Sequence, residues 1–186
     1  MMPRILTFAF LAMLAACSSP TDRLAMMPEP SAMELRPLVG SAMVRTVSLP
    51  AYASAEEVAF ELPNGLIGSS GDILWADEPE RAVTLVLTST LDDILNIEVG
   101  PEPWPFVGLP DAAIDVRVTQ MIARADGNFY LAGQYFVGGD RIDFRNSTDS
   151  FEIAVPMPDQ SLPSIAVAQA TALRLLSEDI AGRLGR

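Results

Sequence analysis

The stretch WADEPERAVTLVLTSTLDDIL, residues Trp75 to Leu95, reads two ways, and the choice sets the fold. Val83, Leu85 and Leu87 alternate as strand residues do, and Val and Thr, both strand formers, are frequent. Against this, Val83, Val86, Leu87, Leu91, Ile94 and Leu95 recur at three- and four-residue spacings, the period of one helix face. The start of the stretch decides. Asp77 can serve as the N-cap, Pro79 suits a first turn, and Glu80 stands three residues after the cap. A helix is therefore expected here.

Strand signals surround it. Upstream, residues 18–42 are rich in Pro, Ser and Met without a clear period, apart from a short strand around Arg23–Met26. Val44–Leu49 reads as a strand stopped by Pro50, and Val58–Leu62 as another, closed by the turn residues Pro63-Asn64-Gly65. Leu66 and Ile67 begin the return, and Gly68–Gly71 is expected to loosen the chain before Ile73-Leu74-Trp75. Downstream, Pro101–Phe106 forms a rigid connector around Trp104. Ile114, Val116, Val118 and Ile122 are expected on one strand face, with Asp115, Arg117 and Thr119 on the other. Asp126-Gly127 marks a hairpin, and Phe129, Leu131, Tyr135 and Val137 form the inner face of its second strand. Gly138-Gly139-Asp140 turns the chain again. Ile142–Phe144 and Phe151–Val155 then extend the sheet, interrupted at Asn146–Asp149.

From Pro163 onward, Ile165, Ala168, Ala172, Leu173, Leu176, Ile180 and Leu184 form one helical stripe in an Ala-rich segment. Few basic residues line its polar face, which favours a core helix over a membrane-surface one. The expected fold is α/β: a single mixed, largely antiparallel sheet with two main helices packed on it. Residues 23–186 are read as one domain.

Composition excludes several functions. The chain carries 24 Asp and Glu against 12 basic residues, all of them Arg, for a net charge of −12. That field repels nucleic-acid phosphates and anionic membrane surfaces alike. With no His and one Cys, neither a Ser-His-Asp triad, a Cys-His pair nor a Cys/His zinc site can form. The acidic pairs Glu56-Glu57 and Asp92-Asp93 sit in polar surroundings and read as solvated faces. Adjacent residues on a helix diverge by about 100°, so Asp92 and Asp93 do not converge as a catalytic pair. Gly68–Asp72, GSSGD, lacks the Lys of a phosphate loop. No enzyme is expected, and no metal.

The sole cysteine is Cys17, in LAMLAACSSP. Met1–Arg4 carries a positive charge and Ile5–Ala16 is apolar apart from Thr7, too short for the about 20 residues that span a bilayer. This is a signal segment. Its end, Leu14-Ala15-Ala16-Cys17, resembles the lipobox of bacterial lipoproteins. The resemblance implies cleavage after Ala16, so that residues 1–16 are a signal peptide. It also implies diacylglycerol on the Cys17 thiol and an acyl chain on its amine, the only attached groups expected. Two or more acyl chains hold a protein stably, at roughly 0.8 kcal/mol per buried methylene, where charge would repel it. Ser18, in place of Asp, resembles lipoproteins sent to the outer membrane. Residues 17–22 would be the acylated end and a tether. If order begins at Arg23, that tether spans at most about 20 Å; if it begins at Val44, a longer tether could stretch to about 90–95 Å.

Taken in order, LAAC, VSLPAYA (Val47–Ala53), LWADEPERAVTLVL (Leu74–Leu87), EPWPF (Glu102–Phe106), DGNFYLAGQYFV (Asp126–Val137) and the closing Ala-rich helix resemble one family. These are the PqiC-like ABC-type transport auxiliary lipoproteins, associated with MCE-type lipid transport. The most specific element is the tryptophan followed by an acidic-proline step, here Trp75-Ala76-Asp77-Glu78-Pro79. The resemblance implies a Rossmann-like sandwich without a nucleotide site, anchored to the outer membrane and facing the periplasm. It implies docking, as a homo-oligomer, with MCE-domain and ABC transporter subunits in support of envelope integrity. It supplies no catalytic residues. Trp75, Trp104 and Phe106 are the candidate partner or oligomer contacts, although Trp75 reads first as a core wedge beneath the helix start, while Trp104, flanked by prolines, stands more evenly between core and interface. A lipoprotein that binds lipid or a small molecule on its own is the competing reading. That reading requires an apolar pocket inside the sandwich, whereas docking requires a filled core and an exposed apolar patch.

Overall fold

The computed structural model describes residues 22–139 and 145–186. Along the chain come β1 (Asp22–Leu24), β2 (Ser41–Val44), β3 (Glu57–Glu61), β4 (Ile67–Trp75), α1 (Pro79–Leu95) and β5 (Glu98–Pro101). Then follow β6 (Ala112–Ala123), β7 (Asn128–Gly138), β8 (Ser147–Pro156) and α2 (Leu162–Leu184). The strands make one mixed eight-stranded sheet with both helices packed on it, the α/β fold expected. The helices also pack on each other, so they share one face and leave the other uncovered by helix.

β6 organises the sheet. One of its edges pairs antiparallel with β7, from Ala113↔Gly138 to Ala123↔Phe129, and β7 pairs antiparallel with β8. The other edge is divided among successive parts of the chain. β2 pairs with it in parallel at Ala112–Ile114, and Ser48 bridges Arg117. The Met121 N–H then donates to the Tyr52 hydroxyl at 3.2 Å, and Phe60 of β3 meets Ala123. Two wings extend beyond that edge: β5 lies parallel on β2, while β4 lies antiparallel on β3 and carries β1 in parallel. The β6–β7–β8 ladders are the longest, and parallel pairing holds the short strands.

α1 forms where its apolar period places it, with the cap one residue later than Asp77. Glu78 is the N-cap, at φ −60° and ψ 121°, because the residue before a proline is steered away from helical angles. Asp77 instead accepts from the Glu78 N–H at 2.9 Å and pairs with Arg81. The strand formers in the stretch are accommodated by bonding to the preceding turn. Thr84, Thr88 and Thr90 are buried, and their hydroxyls donate to the carbonyls of Glu80, Thr84 and Val86 at 2.7–2.9 Å. α2 buries every residue of its expected stripe. Its N-cap is Ser161. Asp159 collects the Ser161 hydroxyl, the Ser164 hydroxyl and the Ser161 N–H, which together hold its carboxyl down to about 2.

Several strand boundaries differ from expectation. The strand expected at Val44–Leu49 is β2, which ends at Val44. Beyond it the chain keeps to β6 through Arg45 N–H to Ile114 O and Ser48 N–H to Val116 O. The ladder is broken because the Val47 N–H turns to the Thr84 hydroxyl of α1. Gly68–Gly71 lies within β4: Gly68 and Ser69 pair with Phe60 and Ala59 of β3, the β3–β4 register then shifts, and β1 joins the other edge only at Ile73–Trp75. Nor do Ser147–Asp149 interrupt the sheet. They begin β8, paired with β7 from Ser147↔Val137, and Asp149 meets Arg183 of α2 at 2.6 Å. β5 was hidden before the proline-rich connector. The strand expected at Ile142–Phe144, and part of the turn before it, lie outside the described residues.

The β6 pattern holds through Ile114, Val116 and Val118, and then slips. A bulge between Val118 and Gln120 hands the core face to Met121 and Ala123, so that Ile122, though buried, falls outside the main core cluster. Opposite the bulge stands Gly133. A Cβ there would lie 2.3 Å from the Arg117 carbonyl oxygen and 2.9 Å from Phe151 Cζ. Gly133→Val is therefore expected to cost about 3 kcal/mol in urea unfolding. Gly71→Ala, built into open space, should stay within about 0.5 kcal/mol of the parent.

Candidate docking surfaces

The carboxylates singled out in the sequence are structural or solvated. Glu56 lies 3.8 Å from Arg23, and Asp92 accepts the Val99 N–H at 3.2 Å, joining the end of α1 to β5. GSSGD lies within β4. Among the described residues no three acidic or Cys side chains gather to hold a metal.

The sheet topology produces an exposed apolar loop. β5, β2 and β6 run parallel, so the chain leaving Pro101 must cross back outside β2 to begin β6 at Ala112. Both ends of the crossing are pinned. The Glu102 N–H donates to Val44 O at 2.9 Å, the Gly40 N–H to Asp111 Oδ2 at 2.8 Å, and the Asp111 N–H to Ser41 Oγ at 3.1 Å. Trp104 braces the middle. Its ring closes on Gly100, where a Cβ would lie 2.9 Å from Trp104 Cζ3, and meets Phe106 edge-on at 4.9 Å. The Trp104 Nε1 is buried without a hydrogen-bond partner among the described residues.

Past this brace the loop turns outward. Phe106 is 44 % exposed, Leu109 82 %, and Val107 fully so. Leu109 also edges a 570 Å³ groove on the helix-free face, beside Met43, Phe136 and Arg117. The Arg117 guanidinium sits 5.0 Å above the Phe136 ring, and its pKa is raised by its hydrogen bond to Asp115.

A second apolar groove, of 650 Å³, runs between Ala25–Pro28 and the outer side of α1, with Trp75 and Val86 at its base and Leu85 on its rim. Trp75 itself is 4 % exposed and belongs to the main core. The expected partner contact at Trp75 is thus not a surface side chain, and the residue wedges beneath the helix start. Its N–H donates to Glu56 O at 2.7 Å, and its carbonyl accepts from Arg23 at 2.9 Å. The structure therefore separates the three candidates: Trp75 in the core, Trp104 as a half-buried brace, Phe106 outward. Sequence reading missed Val107 and Leu109. Their signal was three large apolar residues between Pro105 and Pro110 with no period that could bury them. Cys17 lies outside the described residues. No described helix is long and apolar enough to cross a membrane.

Two solved structures share this architecture. One, a protein without a described function, superposes with a TM-score of 0.69 at 17 % identity, covering 87 % of this chain and 98 % of its own. The other, a Xanthomonas campestris protein of the DUF330 family, gives 0.67 at 12 % identity, covering 86 % and 93 %. At such identities the likeness establishes the fold. No curated protein matches the chain. The family model for the ABC-type transport auxiliary lipoprotein component matches residues 24–181, and the chain belongs to that family.

The brace and the surface residues should separate experimentally. Trp104→Ala is expected to lower unfolding stability by about 2 kcal/mol, since a large, partly buried ring leaves a gap over Gly100. Val107→Asp and Leu109→Asp should stay within about 0.5 kcal/mol of the parent in the same urea titration.

Proposed function

We propose that this auxiliary lipoprotein is a docking subunit of an MCE-type intermembrane lipid transporter. Acyl chains on Cys17 hold it to the periplasmic face of the outer membrane, and residues 102–111 receive a transporter subunit. Several copies assemble in this reading, and the process served is lipid movement that maintains the envelope. The observation that carries it is the outward-facing set of Phe106, Val107 and Leu109, presented by a pinned loop on a domain whose core is filled. Large apolar side chains held exposed on an ordered loop mark an interaction site. The lipobox-like LAAC and Ser18 support the anchor.

The stand-alone lipid-binding reading has the 650 Å³ groove in its favour. That groove is open, a surface depression floored by the core residues Trp75, Val86 and Val99, whereas the reading called for a pocket inside the sandwich.

The test is crosslinked pull-down of the full chain from membranes. MCE-domain or ABC subunits should be recovered with the parent, and lost when Val107→Asp and Leu109→Asp are combined. Cys17→Ser should leave the outer-membrane fraction. Recovery of lipid with no transporter subunit would favour the stand-alone reading.

A further inference from the structure

The sheet fixes where the anchored end of the chain arrives. β1 runs parallel to β4, with Asp22 beside Ile73 and Leu24 beside Trp75. Both strands run away from the β3–β4 hairpin, so the chain reaches Asp22 from the hairpin side. Five peptide steps separate Cys17 from Asp22, a reach of at most about 17–18 Å. Along β4, six steps lead from Ile73 back to Ile67, about 20 Å at 3.3 Å per residue, and the turn projects further. A fully stretched leash thus falls short of the hairpin tip.

The tip suits what it must meet. Residues 62–68, LPNGLIG, carry no charge in a chain of net charge −12. Leu66 is 62 % exposed and Ile67 50 %. The turn is ordered by Gly65 at φ +79°, by the Leu62 N–H donating to Leu66 O at 2.8 Å, and by the Leu66 N–H donating to Asn64 Oδ1 at 3.1 Å. A rigid, uncharged, apolar tip therefore stands at the end where the leash leaves no clearance.

We propose that the hairpin tip, through Leu66 and Ile67, rests in the bilayer surface and sets the standing orientation of the domain. This rests on the acylation of Cys17 in the reading above. The acyl chains supply the attachment, and the hairpin supplies the direction. The other end then faces away from the membrane. Residues 102–111 precede the start of β6, and Ile114 is already about 30 Å from Ala123 along that strand. The hairpin lies beyond Ala123, where Phe60 of β3 pairs. The docking loop is thereby presented toward a partner that approaches across the periplasm.

The test uses the full acylated chain in phosphatidylethanolamine–phosphatidylglycerol vesicles, after intact mass has established the lipid on Cys17. Acylation leaves no free thiol, so Leu66→Cys and Val107→Cys each provide one labelling site. With an environment-sensitive dye, Leu66→Cys is expected to show a blue shift and quenching by lipid-borne nitroxide, while Val107→Cys shows neither. A flexible Gly-Ser insertion between Ser19 and Pro20 should remove most of the Leu66→Cys quenching. With Cys17 acylated, a Leu66→Cys signal as solvent-like as that of Val107→Cys overturns the proposal. So does quenching that a longer leash leaves unchanged. An unmodified Cys17 in the mass spectrum brings down the anchoring reading itself, and this inference with it, before any dye is added.

Discussion

Both edges of β6 are occupied, and by different means. β7 takes one along its whole length, while the other is divided among β2, Ser48, Tyr52 and β3 in chain order. That division forks the sheet into two wings. At the start of β6 the wing is all parallel, so the β5–β6 connection has to cross outside β2, which is why an apolar loop stands on the helix-free face. At the other end the wing contains a hairpin, and its outermost strand, β1, ties the N-terminal chain to that same end. The two surfaces of interest are consequences of one pairing pattern.

What lies between them is filled. Tyr135, Phe129, Leu87, Leu131 and Leu176 are among the largest fully buried side chains, and α1 and α2 close over them. The Tyr135 hydroxyl, pushed up to about 12 by burial, is a neutral core group rather than a reactive one. A net charge of −12 offers little to anionic partners. The docking role proposed above rests on the apolar side chains exposed at two ends of the sheet, Leu66 and Ile67 at one and Phe106, Val107 and Leu109 at the other.

Much of this was legible in residues, and the failures have physical causes. The helix at Pro79–Leu95 could be read because its cap-and-proline start settled what the apolar period and the Val and Thr content left divided, although the cap is Glu78 and not Asp77. α2 could be read from its apolar stripe and Ala content, and β7 because Phe129, Leu131, Tyr135 and Val137 alternate. The bulge after Val118 could not, since nothing local marks where one extra residue enters a strand; the ladder with β7 decides it. β4 looked broken at GSSGD because strand character there comes from the neighbouring β3, across a shift of register, rather than from propensity. Trp75 and Trp104 were both candidate contacts, with the core reading already the stronger one for Trp75. Burial separates them, and burial depends on which wing each belongs to. Val107 and Leu109 were visible only as apolar residues without a period, a signal that gains meaning once the loop is seen pinned at both ends.

The account stands on one polarity: membrane at the hairpin, transporter at the crossing loop. Photoreactive amino acids placed singly at Leu66 and at Val107, and activated in intact cells, read that polarity directly. Lipid adducts at position 66 and transporter-subunit adducts at position 107 are the result expected. Transporter adducts at position 66, or lipid adducts at position 107, would contradict it.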